Sequence, residues 1–175
     1  MLKNILISLM IMVFVPGNAW AGNPAAIELQ RATLTVSDPD RSLTFYRDLL
    51  GFTVSADAEY ATPALRRMFN VPEGVTPRLV LLDAGPDQPR ALALVSAPGL
   101  AVDAEANRRN APTLVLNTLA MDETHARMLA AGVEVIVPPT PLNDFSGKPF
   151  GREAMYLDPD GVRVVLFEYG AIVDD

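Results

Sequence analysis

The sequence has 175 residues, of which 50% are hydrophobic and 20% charged, and its net charge is −7. This length suits one domain of ordinary size, and the hydrophobic content excludes a disordered or collagen-like chain. The acidic balance argues against nucleic acid or an anionic membrane surface as the main partner. The sequence has no cysteine, which excludes disulfides, thiolate metal sites and a cysteine nucleophile.

Residues 1–21 have the three-part pattern of a secretory signal peptide. Lys3 supplies a positive charge, an apolar run follows over Ile5–Val15, and Pro16-Gly17 then breaks the helix. The small residues of Ala19-Trp20-Ala21 suit a signal peptidase. The run is too short to span a bilayer core of about 30 Å as a helix. We therefore predict cleavage after residue 21, a periplasmic or secreted protein, and no stable membrane association after cleavage.

The first predicted module spans residues 29–97 and follows a short tail at residues 22–28. Alternating apolar and polar side chains predict a strand at Leu29–Val36. The next helix is expected to begin at Pro39 behind an Asp38 cap and to run to Leu50, before a glycine stop. The module is completed by a short helix at Tyr60–Asn70 and by strands at Phe52–Ser55, Arg78–Asp83 and Arg90–Ser96.

The polar, charged stretch at residues 98–111 is predicted to be a linker, and a second module is predicted over residues 112–170. In this module Asp122 can cap a helix that runs to Ala131. The proline-rich segment Pro138–Phe150 is predicted to be a long loop, either a lid or a disordered segment. Strands are expected at Thr113–Asn117, Val133–Val137, Arg152–Leu157 and Val162–Glu168.

The two halves of the chain repeat one order of elements. Thr33–Val36, a helix and Leu49–Val54 in the first half match Thr113–Leu116, a helix and Ala130–Val135 in the second. This duplication predicts an α+β fold of two tandem βαβββ modules.

Two segments carry a resemblance to a known family. They read TVSDPDRSLTFYRDLLGF at residues 35–52 and DPDGVRVVL at residues 158–166. On these segments the chain resembles the vicinal oxygen chelate superfamily, which includes glyoxalase I, bleomycin-resistance proteins and extradiol dioxygenases. The resemblance covers residues 29–169. It implies that the modules form a curled mixed sheet with the helices on the outside, that they surround a ligand cavity, and that the protein forms a homodimer, as many members do.

The resemblance also implies where a metal would be bound. Catalytic members take metal ligands from the first and the last strand of each module, usually His, Glu or Gln. In this sequence the four positions are Arg31, Ala93, Thr113 and Val165. Arg31 is a permanent cation, two of the other side chains have no donor atom, and a neutral threonine hydroxyl binds weakly. We therefore expect no metal and no other cofactor.

Two residues outside the family positions have side chains that could act as a ligand or a base. His125 is the only histidine, and its place in the second helix predicts a solvated surface side chain rather than a ligand or base. Strand alternation points Glu168 away from the cavity, which predicts a surface or capping carboxylate.

Strand alternation also predicts the cavity wall. The candidate ligand-binding residues are Arg31, Thr33, Thr113, Asn117, Arg163 and Phe167. A wall that is mostly apolar with a few polar groups suits a small organic molecule, and the arginines can orient a carboxylate or phosphate. The alternative for either arginine is an internal ion pair with Glu153 or Glu168, or contact with solvent.

The sequence as a whole predicts an exported protein of this family type that lacks the family's metal ligands and binds a small organic molecule in the cavity between its two modules. Two alternatives stay open. One is a glyoxalase-like or dioxygenase-like enzyme, either a lyase that uses Arg31 and a bound water or a protein whose metal is held by unidentified residues. The other is an interaction module whose cavity is filled by its own side chains. The sequence pattern contains no evident nucleophile–base pair or paired carboxylates, so no catalytic residue is named.

Overall fold

The structure is a computed structural model that describes residues 29–170, so the predicted signal peptide and tail lie outside the described residues. Module one contains β1 (Ala32–Thr35), α1 (Pro39–Leu43) with a π-helical continuation (Thr44–Leu49), β2 (Thr53–Glu59), α2 (Pro63–Phe69), β3 (Arg78–Asp83) and β4 (Leu92–Ser96). After α3 (Ala104–Asn110), module two contains β5 (Leu114–Asn117), α4 (Met121–Ala130), β6 (Val135–Asn143), β7 (Pro149–Leu157) and β8 (Arg163–Tyr169). Within the described part, no helix is long and apolar enough to cross a membrane.

The strands form two open four-stranded mixed sheets with the same topology. Their orders are β1-β4-β3-β2 and β5-β8-β7-β6, in which only the first and last strand of each module run parallel. This arrangement confirms the predicted α+β fold of two tandem βαβββ modules.

The hydrogen-bond register shows which residues of the two modules correspond. Ala32 lies opposite Leu92 in module one, and Leu114 lies opposite Val164 in module two. Counting from these pairs, Thr33 corresponds to Val115. The sequence pattern matches Thr33 with Thr113, two residues earlier, and a shift of two residues leaves every side chain on the same face.

The helices that follow the first strand of each module differ in type. The Asp38 carboxylate accepts the backbone N–H groups of Asp40 and Arg41 and starts the helix as predicted. From Thr44 to Leu49 the helix is π-helical, whereas α4 is α-helical throughout. A π turn accommodates an inserted residue. Module one therefore has a longer path from its first strand to its glycine stop than module two has.

One hydrophobic core extends through both modules. In module one it includes Tyr46, whose ring packs edge-on against Phe45 and Phe52. In module two it includes Met128 and Tyr156. The core receives the even-numbered side chains of the last strands, namely Leu92, Leu94, Val164 and Leu166. The odd-numbered side chains of these strands consequently lie on the opposite face of each sheet.

Residues 98–111 are not a plain linker, because they contain α3. The Asp103 carboxylate caps this helix by accepting the N–H of Ala106 at 2.9 Å. The Asn107 side-chain amide donates to the carbonyl of Asp160 at 2.9 Å and so attaches α3 to the β7–β8 turn. Polar composition indicated a solvated segment, but α3 is held by its cap and by these long-range contacts rather than by an apolar stripe.

The prediction of a long loop at Pro138–Phe150 is also wrong, because most of this segment belongs to the hairpin of β6 and β7. The turn between these strands is ordered by Asp144, whose carboxylate accepts the N–H groups of Ser146 and Lys148. The prolines of β6 are tolerated because β6 is an edge strand, where a missing N–H removes no required ladder bond, and the pairing shifts register near them.

Candidate functional site

The predicted wall residues lie on the sheet faces that point away from the helices. Thr33 pairs with Ala93 in module one. Asn117 pairs with Phe167 in module two, and Arg163 precedes Phe167 on the same side of β8. Arg31 and Thr113 lie immediately before β1 and β5. The register therefore brings the predicted residues of each module onto one face.

In the single chain these faces are exposed along the edge strands β1 and β5 and buried along the central strands β4 and β8. Thr33 and Asn117 are exposed, and Val115, which lies between Thr113 and Asn117, is 64% exposed. Ala93 and Val165 are buried at the centre of their strands, and the other predicted residues are half-buried. In the single chain a ligand on either face would therefore contact the exposed side chains of the edge strand and the half-buried polar groups beside them.

The four positions that the resemblance assigns to metal ligands form two corresponding pairs. Arg31 corresponds to Thr113, and Ala93 corresponds to Val165. Their side chains are a guanidinium, a hydroxyl, a methyl and an isopropyl group. This donor set does not fit a divalent metal, because it contains a permanent cation and one neutral oxygen. Within residues 29–170, no cluster of three or more His, Asp or Glu side chains could hold a metal either.

Arg163 is placed at the start of β8 beside the edge strand β5. Its Nη2 donates to the carbonyl of Ala111 at 3.2 Å, while its Nε is buried and has no hydrogen-bond partner. Arg163 makes neither of the predicted ion pairs, since Glu168 pairs with Arg152 and no ion pair joins Arg163 to Glu153, and its side chain is half-buried. A buried donor without an acceptor costs about 1–3 kcal/mol.

Three aromatic rings meet at the far end of β8. The Phe167 ring lies 5.6 Å from that of Phe150 and 4.6 Å from that of Tyr169, which is 66% exposed. A side chain at Gly151 would meet the Phe167 ring at 3.3 Å, so this glycine lets the ring lie across β7. Sequence reasoning found Phe167 but missed the cluster. A glycine inside a strand next to alternating aromatics was the available signal.

A shallow groove of about 200 Å³ lies between the modules, apart from most of the predicted wall. Among the candidate ligand-binding residues, it shares only Asn117. It is lined by Leu50, Phe52, Ala84, Gln88, Val115, Leu116, Asn117, Thr118, Thr124 and Leu166. Its volume is below the roughly 300 Å³ of the smallest usual ligand pockets.

The β7–β8 turn joins the two modules through buried carboxylates. Asp158 accepts the hydroxyl of Tyr46 at 2.8 Å, and Asp160 accepts the N–H and the hydroxyl of Ser37. The Arg41 guanidinium donates to the Pro159 carbonyl of the same turn at 2.6 Å. Burial raises the pKa of the Asp158 carboxyl, and burial beside Asp158 raises the pKa of the Tyr46 hydroxyl well above its ordinary value. These groups hold the modules together rather than face a ligand.

Glu168 and His125 both have structural partners. Glu168 accepts the N–H of Met121 at 2.9 Å and pairs with Arg152, so it caps α4. These contacts lower the pKa of Glu168, with the Met121 N–H as the larger cause. The predicted capping carboxylate is thereby confirmed, whereas Asp122 lies inside the helix instead of capping it. The prediction of a solvated surface side chain at His125 holds only in part, because the residue is half-buried and its Nδ1 lies 2.8 Å from the buried Tyr156 hydroxyl.

The sequence matches one family model over nearly all of the described chain. Residues 28–166 match the Glyoxalase/Bleomycin resistance protein/Dioxygenase superfamily. The chain belongs to this superfamily. The resemblance stated from the two sequence segments is thus confirmed, and the topology of the two sheets agrees with it. None of the curated proteins compared with the sequence matches it.

Several solved structures are similar to this superfamily member. A glyoxalase family protein from Bacillus cereus is 14% identical with a TM-score of 0.66, over 86% of this chain and 100% of that one. The trypanothione-dependent glyoxalase I of Leishmania major is 23% identical with a TM-score of 0.55, over 82% and 87%. TnmS3, an antibiotic binding protein from Streptomyces sp. CB03234, is 25% identical with a TM-score of 0.51, over 85% and 100%.

Proposed function

We propose that this chain is an exported, metal-free member of the superfamily that binds a small organic molecule against the open sheet faces of its two modules. The observation that carries the proposal is the donor set at the four family positions. Arg31, Ala93, Thr113 and Val165 leave the centre of each face apolar and add one cation, which suits an organic ligand better than a divalent metal.

The known relatives support the binding part of the proposal. TnmS3 is described as an antibiotic binding protein, so this fold can serve to hold a small molecule. Export rests on the signal pattern of residues 1–21. A protein that binds without reacting also needs no nucleophile or base, and the titratable groups of the β7–β8 turn already have structural partners.

A homodimer completes the site in this proposal. In module two Val115 is 64% exposed and Asn117 is also exposed, and in module one Thr33 is exposed. A single open face covers too little of a small molecule to bind it well, because binding sites bury most of the ligand surface. A second copy that packs face to face would cover both the ligand and the exposed apolar side chains.

The metal-free claim is tested by equilibrium dialysis of the protein, without residues 1–21, against Fe(II), Mn(II), Ni(II) and Zn(II). We expect far less than one equivalent of any of these metals to be retained. The matched variant Arg31→His/Ala93→Glu/Thr113→His/Val165→Glu restores ligand side chains at all four positions and is expected to retain about one equivalent if those positions converge. Retention of one equivalent by the unchanged protein would contradict the proposal.

A further inference from the structure

The Arg163 guanidinium has an unsatisfied donor on the module-two face. Its Nε is buried without a partner, and its one hydrogen bond, to the Ala111 carbonyl, is long at 3.2 Å. Because this hydrogen bond is weak, the guanidinium loses little free energy when it breaks the bond to reach a better acceptor. A carboxylate can accept two parallel N–H groups of a guanidinium, whereas the Ala111 carbonyl accepts only one.

The acidic residues near Arg163 are unavailable to it for geometric reasons. Glu153 lies on the same face as Arg163, but on β7, where it pairs with Phe167. Phe167 is four residues beyond Arg163 on β8, so Glu153 is about 13 Å from Arg163 along the strand direction. Glu168 is on the other face, paired with Arg152. Asp158 is occupied by Tyr46 and by its own turn. The acceptor for Arg163 must therefore come from outside these residues.

The other end of the same face offers an aromatic surface. Along β8, Arg163 is followed on this side by Val165, Phe167 and Tyr169. Val165 is small and buried, while the Phe167 ring is half-buried and the Tyr169 ring is exposed and set edge-on against it. An elongated molecule lying along β8 would thus meet a cation at one end and aromatic rings at the other.

We infer that the module-two face binds an elongated organic carboxylate, whose charged end contacts the Arg163 guanidinium and whose apolar ring packs on Phe167 and Tyr169. This inference rests on the proposed function and names the ligand class for it. A carboxylate fits better than a phosphate monoester, because one guanidinium balances one negative charge, whereas a phosphate carries about −1.5 to −2 at neutral pH.

The test is a calorimetric titration of the protein, without residues 1–21, with 6-phenylhexanoate. Two comparison compounds separate the contributions of the ligand: 6-phenylhexan-1-ol lacks the charge, and hexanoate lacks the ring. We expect the phenyl carboxylate to bind at least tenfold more tightly than either comparison compound. Titration of the protein labelled with nitrogen-15 should also shift the Nε–H resonance of Arg163.

Variants test which residues contact the carboxylate and the ring of the ligand. Arg163→Gln is expected to weaken binding of 6-phenylhexanoate at least tenfold, or about 1.4 kcal/mol, and Arg163→Lys less, because lysine keeps the charge. Tyr169→Ala is expected to weaken binding about fivefold. Arg67→Gln and Tyr60→Ala remove an exposed arginine and an exposed tyrosine outside this face and should leave binding unchanged. The Tm of each variant shows whether it is folded.

The outcomes separate this inference from the proposed function. Equal binding of the carboxylate and the alcohol, equal effects of Arg163→Gln and Arg67→Gln, or no binding of 6-phenylhexanoate would overturn the carboxylate inference. The proposed function would survive each of these results if an uncharged organic molecule co-purified with the protein. Its own failure has a different signature, which is retention of one equivalent of metal in the dialysis experiment.

Discussion

Replacing Gly161 by alanine is expected to lower the free energy of unfolding by about 3 kcal/mol or more. Gly161 has φ +81°, a left-handed conformation that costs a residue with a Cβ about 1–2 kcal/mol. A Cβ there would also collide with the backbone carbonyl of Ala104 at the start of α3. The backbone cannot yield as a flexible side chain would, so the β7–β8 turn or α3 must move.

Gly147→Ala is the matched control for that substitution. Gly147 has φ +84°, and its added Cβ would meet nothing within 4 Å. It should therefore show only the conformational cost of about 1–2 kcal/mol. Urea unfolding of both variants measures the two free energies. Equal losses would show that α3 does not pack on the β7–β8 turn, and that residues 98–111 act as the plain linker first predicted.

Asp158→Ala is expected to cost about 3 kcal/mol of stability, because it leaves three donors without an acceptor. The carboxylate accepts the N–H groups of Asp160 and Val162 at 2.9 and 2.7 Å, and the Tyr46 hydroxyl at 2.8 Å. Asp144→Ala is the exposed counterpart, since Asp144 also accepts turn N–H groups but water can replace it. We expect that control to cost about 1 kcal/mol or less. A similar loss for the two variants would argue against the buried Tyr46–Asp158 contact.

The Asp158 carboxyl also predicts how the stability of the protein changes with pH. Burial raises the pKa of Asp158 in the folded protein, so folding favours its protonated form. Its contribution to stability is complete below the ordinary value of 3.8 and is lost as the pH rises through the raised value. Asp158→Asn stays neutral and can keep the turn bonds. Its stability relative to the unchanged protein should therefore increase as the pH rises above 3.8.

Glu168→Gln is expected to change stability with pH in the opposite direction to Asp158→Asn. The pKa of Glu168 is lowered, so its contribution is present above its ordinary value and is lost as the pH falls through the lowered one. The deficit of Glu168→Gln should thus be largest near neutral pH and shrink in acid. Unfolding curves at several pH values measure both differences. If the stability of Asp158→Asn relative to the unchanged protein stays constant or falls as the pH rises, the pKa of Asp158 is not raised.

Local signals predicted much of the fold. Asp38 and Gly51 mark the ends of the first helix correctly, because a cap and a left-handed stop depend only on neighbouring residues. Alternation assigned Phe167 and Arg163 to one face for the same reason. The prolines of residues 138–150 led to the wrong prediction of a loop. Proline is compatible with β6 only because β6 is an edge strand, and the position of a strand in its sheet depends on long-range pairing.

The site was less predictable because its contacts are long-range. The hydrogen bond from Arg163 to Ala111 and the Met121 cap supplied by Glu168 join residues far apart in sequence. Only the assembled register shows that Glu168 is already engaged and that Arg163 has a buried donor to spare. Composition gave the apolar character of the wall but not these partners.

We propose that this protein binds an organic ligand at the positions where the family resemblance implies a metal in catalytic members. Native mass spectrometry of protein purified from its export compartment tests this most directly, because one spectrum reports processing, ligand and metal. We predict a chain that lacks residues 1–21 and carries a metal-free organic adduct, in a dimer. A spectrum with one Fe, Mn, Ni or Zn per chain and no organic adduct would contradict the account.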